Sequence, residues 1–210
     1  AFATENPYGF NPATVIAMFI PNTYEVYTDI TADELLEKMY KEYKKFWNLE
    51  RSEKANKLGL SPIEVSILAS IVQEEQLLHA SERKRIAGLY LNRLKMGMKL
   101  DSDPTLKYAI GDFSIKRVLN KHKEVDSPYN TYKYGGLPPG PINMPDISSI
   151  DAVLNFEAHH YIYMCAKEDF SGYHNFAKTL NEHLKNASRY QKQLSIEIQK
   201  GRLQQAQEQH

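Results

Sequence analysis

Residues 61–79 combine a helix that is apolar around most of its circumference with two adjacent carboxyl groups. Ser61 followed by Pro62 is typical of a helix start, and Glu64 completes the spacing of a capping box. Apolar residues then cover most of the helix surface, which predicts a helix inside a domain rather than on its surface. These residues are Ile63, Val65, Ile67, Leu68, Ala69, Ile71 and Val72.

Two glutamates, Glu74 and Glu75, lie near the end of this helix. At about 100° per residue each one continues a row of apolar side chains, so we expect both carboxyl groups to be partly desolvated. Desolvation raises the pKa of a carboxyl group, so that it can donate a proton to a leaving group at neutral pH. The alternative is that both are solvated or paired with Arg83 or Arg85 in the next segment.

Charge and composition limit the kinds of molecule that the chain is expected to bind. The chain carries 26 basic and 26 acidic side chains, which gives no basis for electrostatic capture of nucleic acid or of a membrane surface. A neutral polymer suits this balance, and the 14 tyrosines suit either a sugar-binding surface or the edge of a core. The one cysteine, Cys165, excludes an internal disulfide and has the apolar setting of a buried strand residue. We expect neither a transmembrane helix nor a signal peptide.

The first half of the chain predicts mostly helices. Residues 1–30 contain short β-branched and aromatic runs, which predict two strands or one strand and an extended arm. A capping box at Thr31 predicts one continuous helix over residues 31–59. Another amphipathic helix is expected over residues 81–97. Its inward side chains are Ile86, Leu89, Tyr90, Leu94 and Met96.

The second half predicts a helix, a β-hairpin and a polar terminal helix. Asp146 or Ser148 is expected to cap a helix that ends near His159 and His160. Residues 161–179 contain two aromatic-rich runs around a turn, which predicts a hairpin. From Leu180 the composition predicts a polar helix that frays over residues 201–210. Together these segments predict a predominantly helical α+β domain.

The sequence predicts no metal site or other cofactor. Asp101 and Asp103 flank Ser102 in a pattern typical of a helix cap, and a metal there would need further carboxylates. Glu157 and His160 have a spacing found among metal ligands, but no third ligand lies nearby in the sequence.

Residues 126–146 form a long loop, because five prolines and three glycines exclude both a helix and a regular strand. Loops of this length in compact domains are usually functional. Prolines fix the path of the chain, glycines such as Gly140 allow close approach to a ligand, and tyrosine and asparagine side chains suit a sugar. The alternative is a rigid connector that packs its own tyrosines.

Four blocks of the sequence resemble, in this order, the YceG-like (MltG) endolytic murein transglycosylases of bacteria. They are LASIVQEEQ, LYLNRLKMGMKLDSDPT, SPYNTYKYGGLPPGPI and YHNFAKTLNEH, and the resemblance covers about residues 15–190. It implies a lysozyme-like catalytic fold. It also implies cleavage of the β-1,4 bond between N-acetylmuramic acid and N-acetylglucosamine in peptidoglycan, which leaves a 1,6-anhydromuramic end.

The resemblance also implies which glutamate is catalytic. The family's block usually reads Glu-Lys-Glu-Thr, and its second glutamate, which is catalytic, falls on Glu75. In this chain Gln73 replaces the first glutamate, Glu74 replaces the lysine, and Gln76 replaces the threonine. Two alternatives follow for Glu74: its charge raises the pKa of Glu75 further, or it shares the role of Glu75. Gln73 is a second candidate for catalytic support.

One carboxyl group suffices for the implied reaction. Glu75 would protonate the glycosidic oxygen and then remove the proton of the muramic C6 hydroxyl group, which attacks the anomeric carbon. A first rival is a lysozyme-type hydrolase that uses Asp101 or Asp103 as a second carboxylate. A second rival is a non-catalytic glycan-binding scaffold. The residues expected to hold the sugar are Tyr129, Asn130, Tyr132 and Gly140, with Asn92, Asp103 and Thr105 as weaker candidates.

The resemblance also implies other parts of the full-length protein, its cellular location and its partners. It implies an N-terminal membrane anchor and a LysM-like module in the full-length protein, and therefore a cell-envelope location at the inner membrane. We predict that residues 1–30 are the end of that module with lead-in strands. Residues 31–195 would then be the lysozyme-like catalytic domain and residues 196–210 a polar tail. The expected partners are peptidoglycan glycan strands and peptidoglycan synthases.

Overall fold

A computed structural model describes residues 7–115 and 117–207 of the chain. Predictions for residues 1–6 and 208–210 lie outside the described residues. The chain divides into two compact units between Ala158 and His159.

The first unit is helical in its described part. A 3-10 turn, Val15–Met18, precedes helices α1 (Ala32–Phe46), α2 (Leu49–Leu58) and α3 (Pro62–Glu75). A second 3-10 turn, Ala80–Glu82, leads into α4 (Arg83–Lys95), which is followed by α5 (Asp103–Ile110), α6 (Asn120–Lys123) and α7 (Ile147–Leu154).

Helix α3 lies in the core of this unit, as its apolar circumference predicts. Every residue from Val65 to Val72 is buried, and the helix packs against α2, α4, α5 and α7. Its capping box is formed: Ser61 Oγ accepts the N–H of Glu64 at 3.3 Å, and the Glu64 carboxylate accepts the N–H of Ser61 at 2.8 Å. Because helices cover α3 on several sides, the position of its carboxyl end is fixed.

The prediction of a single helix over residues 31–59 is wrong, because two helices cover this range. Helix α1 ends at Phe46, and α2 begins after Asn48, whose side chain accepts the N–H of Arg51 at 3.0 Å. Trp47, between the two helices, is buried. An asparagine able to cap a new helix and a large side chain that must be buried together break the helix here.

The strands predicted within residues 1–30 are wrong for residues 7–30, which form a 3-10 turn and irregular backbone. Their apolar side chains are explained by packing against α1. Phe10 and Met18 are buried in one cluster with Met39, and the ring of Tyr43 meets that of Phe10 edge-on at 5.1 Å.

Helices α4 and α7 are confirmed with shorter extents. Met96, predicted to face inward, is exposed because α4 ends at Lys95. Of the two predicted caps, Asp146 is the one that begins α7, but the helix ends at Leu154 rather than near His160. There the Asn155 side chain donates to the Asp151 carbonyl at 2.8 Å and satisfies a helix-terminal acceptor.

The second unit is a hairpin with one long helix. Strands β1 (Tyr163–Ala166) and β2 (His174–Ala177) are antiparallel, with Tyr163 opposite Ala177, and both pack against α8 (Leu180–Gln207). The predicted hairpin and polar helix are confirmed, and Cys165 lies in β1 although it is only half-buried. In the described residues α8 continues to Gln207, and the fraying predicted over residues 201–210 stays a prediction.

At the level of fold class, the described residues confirm a predominantly helical α+β protein with a small hairpin. The lysozyme-like and LysM-like assignments and the boundaries at residues 30 and 195 stay predictions. Within residues 7–115 and 117–207, no single helix is long and apolar enough to cross a membrane. Helices α2 and α3 satisfy that test only as a pair, which is bent by 77°.

Candidate active site

The carboxyl group of Glu75 lies at the end of α3 and is partly buried, as predicted. The Tyr90 hydroxyl of α4 donates to Glu75 Oε1 at 2.5 Å. The Ser102 hydroxyl, just before α5, donates to the same oxygen at 2.7 Å. Both donors are buried, so three helices together determine where this carboxyl group lies.

The Tyr90 phenol is held in its protonated form. Burial raises the pKa of Tyr90 well above its ordinary value, and the charge and hydrogen bond of Glu75 raise it further. Tyr90 therefore acts as a hydrogen-bond donor to Glu75. Because two hydroxyl groups donate to Oε1, a proton on the Glu75 carboxyl group belongs on Oε2.

Ser102 connects this carboxyl group to residues 126–146, which we call the site loop. Ser102 occupies the predicted cap position of α5, but its side chain makes no cap hydrogen bond and donates to Glu75 instead. Its N–H donates to Thr131 Oγ1 at 3.0 Å, and that oxygen is hydrogen-bonded to Thr105 Oγ1 at 2.7 Å. The site loop and the start of α5 are therefore one hydrogen-bonded structure.

Two aspartates beside this structure each have a partner. Asp101 accepts from Arg93 Nη2 at 2.7 Å, and Asp103 accepts from the hydroxyl of Tyr132. Burial raises the pKa of Tyr132 above its usual range, and the charges of Asp103, Glu75 and Asp101 add to the effect. A neutral phenol thus lies within the electric field of three carboxyl groups.

Two of the residues predicted to contact the sugar are buried, and their side chains are hydrogen-bonded within the protein. Asn130 is completely buried: its amide donates to the carbonyls of Lys123 at 2.9 Å and Val125 at 2.7 Å, and its oxygen accepts the N–H of Tyr132 at 3.1 Å. Thr105 is also completely buried. We therefore reassign both residues from sugar contact to holding the site loop in place.

Gly140 also has a packing role. A β-carbon at this position would lie 1.9 Å from the carbonyl oxygen of Ala13 and 3.0 Å from the hydroxyl of Tyr129. A glycine is thus required here because the backbone of Ala13 lies close to it. The prediction that Gly140 allows a ligand to approach is replaced by this packing role. Tyr129 is half-buried, with its ring 4.7 Å from that of Tyr108.

The residues before Glu75 tie α3 to the end of the site loop. Gln73 Oε1 accepts from the Asp146 N–H at 2.7 Å and from Ser149 Oγ at 3.1 Å, which gives it a structural role. Glu74 is exposed, so the prediction that it is desolvated is wrong. It accepts from Asn143 Nδ2 at 2.7 Å.

The arginines considered as partners of the glutamates bind other carboxylates. Arg83 donates to Asp146 at 2.8 Å, and Arg85 donates to Glu157 at 2.9 Å. Glu157, considered above as a metal ligand, is thus in an ion pair. The candidates for sugar contact that are neither fully buried nor reassigned are Asn92, Asp103, Tyr129 and Tyr132.

Sequence reasoning missed the two hydroxyl groups on Glu75. Tyr90 follows the apolar spacing of α4, which predicts a core residue, and Ser102 lies in a pattern typical of a helix cap. The usable signal was Tyr90 itself, because a buried tyrosine hydroxyl normally has a hydrogen-bond partner.

Several known proteins are similar to this chain. Residues 3–189 match the model described as the YceG-like family, and the chain belongs to that family, which confirms the resemblance. It is 39% identical over 163 residues to the endolytic murein transglycosylase of Bacillus subtilis (strain 168), covering 77% of this chain and 44% of that protein. It is 32% identical over 150 residues to the endolytic murein transglycosylase of Streptococcus pneumoniae (strain R6), covering 70% of this chain and 27% of that protein.

A solved structure is similar as well. The crystal structure of a YceG-like protein from Listeria monocytogenes matches with a TM-score of 0.69 at 36% identity, over 80% of this chain and 54% of that one. This chain spans less than half the length of the curated relatives it matches.

Proposed function

We propose that this chain is the catalytic part of a peptidoglycan lytic transglycosylase. It would cleave the β-1,4 bond between N-acetylmuramic acid and N-acetylglucosamine within glycan strands and leave 1,6-anhydromuramic ends. Relatives at 39% and 32% identity carry the name endolytic murein transglycosylase. The observation that carries the proposal is the Glu75 carboxyl group, which Tyr90 and Ser102 hold at the end of a buried helix beside the site loop.

In the proposed reaction Glu75 is first an acid and then a base. Its Oε2 donates a proton to the glycosidic oxygen as the bond to the anomeric carbon breaks. The carboxylate that results accepts the proton of the muramic C6 hydroxyl group as that oxygen attacks the anomeric carbon. Tyr90 and Ser102 stabilise the carboxylate through their hydrogen bonds to Oε1. No water is consumed, so the products together have the mass of the substrate.

The contacts of the two aspartates favour this one-carboxylate mechanism over hydrolysis. A lysozyme-type hydrolase needs a second carboxylate that activates water or stabilises a glycosyl intermediate. Asp103 accepts the Tyr132 hydroxyl, and Asp101 is paired with Arg93. Each aspartate is therefore engaged by a neighbouring side chain.

The half-buried residues around the site suit sugar recognition. We assign sugar contact to Tyr129 and Tyr132 of the site loop, to Asn92 of α4 and to Oδ2 of Asp103, because the Tyr132 hydroxyl donates to its Oδ1. Tyrosine rings can lie against the apolar faces of a sugar, while amide and carboxylate groups bind its hydroxyl and N-acetyl groups. Glu74 has no catalytic part in this proposal, because it is exposed and bonded to Asn143.

The wider setting is proposed from the family resemblance. The catalytic domain would be lysozyme-like, and the full-length protein would carry a LysM-like module and an inner-membrane anchor, with this domain outside the cytoplasm. Peptidoglycan synthases would be its partners.

Mass spectrometry of the products from purified peptidoglycan tests the reaction class. The proposal predicts muropeptides with 1,6-anhydromuramic ends, each lighter by one water molecule than the hydrolytic product. Reducing muramic ends would instead indicate a hydrolase. Binding of glycan strands without any release of products would indicate a scaffold, and either result would refute the proposal.

A further inference from the structure

Two adjacent leucines, Leu77 and Leu78, are exposed in the turn that follows Glu75. Their exposed fractions are 62% and 77%, although leucine is usually a core residue. Because consecutive Cα atoms are about 3.8 Å apart, the Cα of Leu77 lies within about 7.6 Å of the Cα of Glu75. The backbone of Leu77 therefore adjoins Glu75, and Leu78 follows directly after it in the same exposed turn.

The turn that presents them is held by one buried side chain. Gln76 is 2% exposed, and its Oε1 accepts the N–H groups of Leu78 at 3.2 Å and His79 at 3.0 Å. Its amide donates to Glu82 at 2.6 Å, and its carbonyl accepts from Arg83 Nε at 2.9 Å. Hydrogen bonds of Gln76 thus fix the backbone of the turn. The exposed leucine side chains bury little surface in it and therefore add little to its stability.

We propose that Leu77 and Leu78 form an apolar contact surface for the N-acetyl and lactyl groups of a glycan strand bound at Glu75. This inference rests on the proposed function. Clustered exposed apolar side chains beside a site are typical of ligand contacts. The methyl groups of these substituents are the apolar parts of an otherwise polar polymer. With 26 acidic and 26 basic side chains the chain carries no net charge, so long-range attraction of the strand by the whole chain is not expected.

Steady-state kinetics on two substrates, glycan strands that keep their stem peptides and strands freed of them by an amidase, test this surface. The double variant Leu77→Ala/Leu78→Ala is expected to raise KM at least threefold while kcat and the melting temperature stay at wild-type values. Leu49→Ala is the matched control, because Leu49 is 76% exposed at the first position of α2. This control is expected to match the wild type in both KM and kcat.

Two results would overturn the inference: an unchanged KM for the double variant, or an effect confined to strands that keep their stem peptides. The second result would make the peptide the occupant of the surface. Both results assume a wild-type enzyme that forms anhydromuramic ends. If the wild type forms none from either kind of strand, the proposed function fails; if it forms them and the double variant behaves as the wild type does, only this inference fails.

Discussion

Replacing Gly140 with alanine tests how the site loop is anchored. The new β-carbon would lie 1.9 Å from the carbonyl oxygen and 2.6 Å from the carbonyl carbon of Ala13. Both contacted atoms are backbone, so no side-chain rotation can relieve the clash. One of the two segments must move by about 1.5 Å before the β-carbon and the carbonyl oxygen of Ala13 are in ordinary contact.

The size of this effect follows from the cost of overpacking. Inserting a methyl group into a packed site costs about 1–3 kcal/mol, and in a chain of this size each kcal/mol lowers the melting temperature by about 2–4 °C. We therefore expect Gly140→Ala to melt roughly 2–12 °C below the wild type. The Tyr129 hydroxyl is 3.0 Å from the same β-carbon, so kcat should fall as well.

Gly135→Ala is the matched control within the same loop. A β-carbon at Gly135 meets no atom within 4 Å. Thermal melting followed by circular dichroism should therefore place Gly135→Ala at or near the wild-type melting temperature. Equal melting temperatures for Gly140→Ala and Gly135→Ala would refute this account of how the loop is held.

Three further predictions concern the site and its supports. Tyr90→Phe should lower the free energy of unfolding by about 0.5–1.5 kcal/mol and lower kcat more than it changes KM, as measured by denaturant titration and product release. Asn130→Ala leaves two partly buried carbonyls without their side-chain donor and should cost about 1–3 kcal/mol in the same titration. Burial alone would raise the pKa of Asp146, but hydrogen bonds from two serines and Arg83 hold it below its usual range. The stability this gives is complete above about pH 4 and lost in more acidic solution, so the difference in melting temperature between wild type and Asp146→Asn should shrink as the pH falls.

Helix α3 and the site loop could be predicted because their signals are local. Ser61, Pro62 and Glu64 form a cap within one turn of helix, and the dense prolines of residues 126–146 exclude regular structure wherever they fold. The hairpin was predictable for the same reason, since its turn and its strands are adjacent in the sequence.

The predictions that were wrong depended on tertiary packing. The break at Trp47 arises because a buried indole and a capping asparagine outweigh the helical pattern around them. Phe10 and Met18 have the composition of strand residues, but α1 supplies the apolar surface that buries them. No local pattern contains that information.

The site itself was only half predictable. The position of Glu75 followed from helix periodicity and from the family resemblance. The Tyr90 and Ser102 hydroxyls come from segments 15 and 27 residues further along the chain, and only the fold brings them to one carboxyl oxygen. Asn130 has the chemistry of a sugar ligand, yet the carbonyls of its own loop use that chemistry.

Product analysis of a pair of neighbouring variants tests the central assignment most directly. Glu75→Gln and Glu74→Gln change adjacent residues on α3 by the same chemical step, but only Glu75 is bound by Tyr90 and Ser102. On purified glycan strands, Glu75→Gln should form no anhydromuramic ends while it keeps the wild-type circular dichroism spectrum, and Glu74→Gln should remain active. Anhydromuramic ends from Glu75→Gln at the wild-type rate, or their loss with Glu74→Gln alone, would contradict the account.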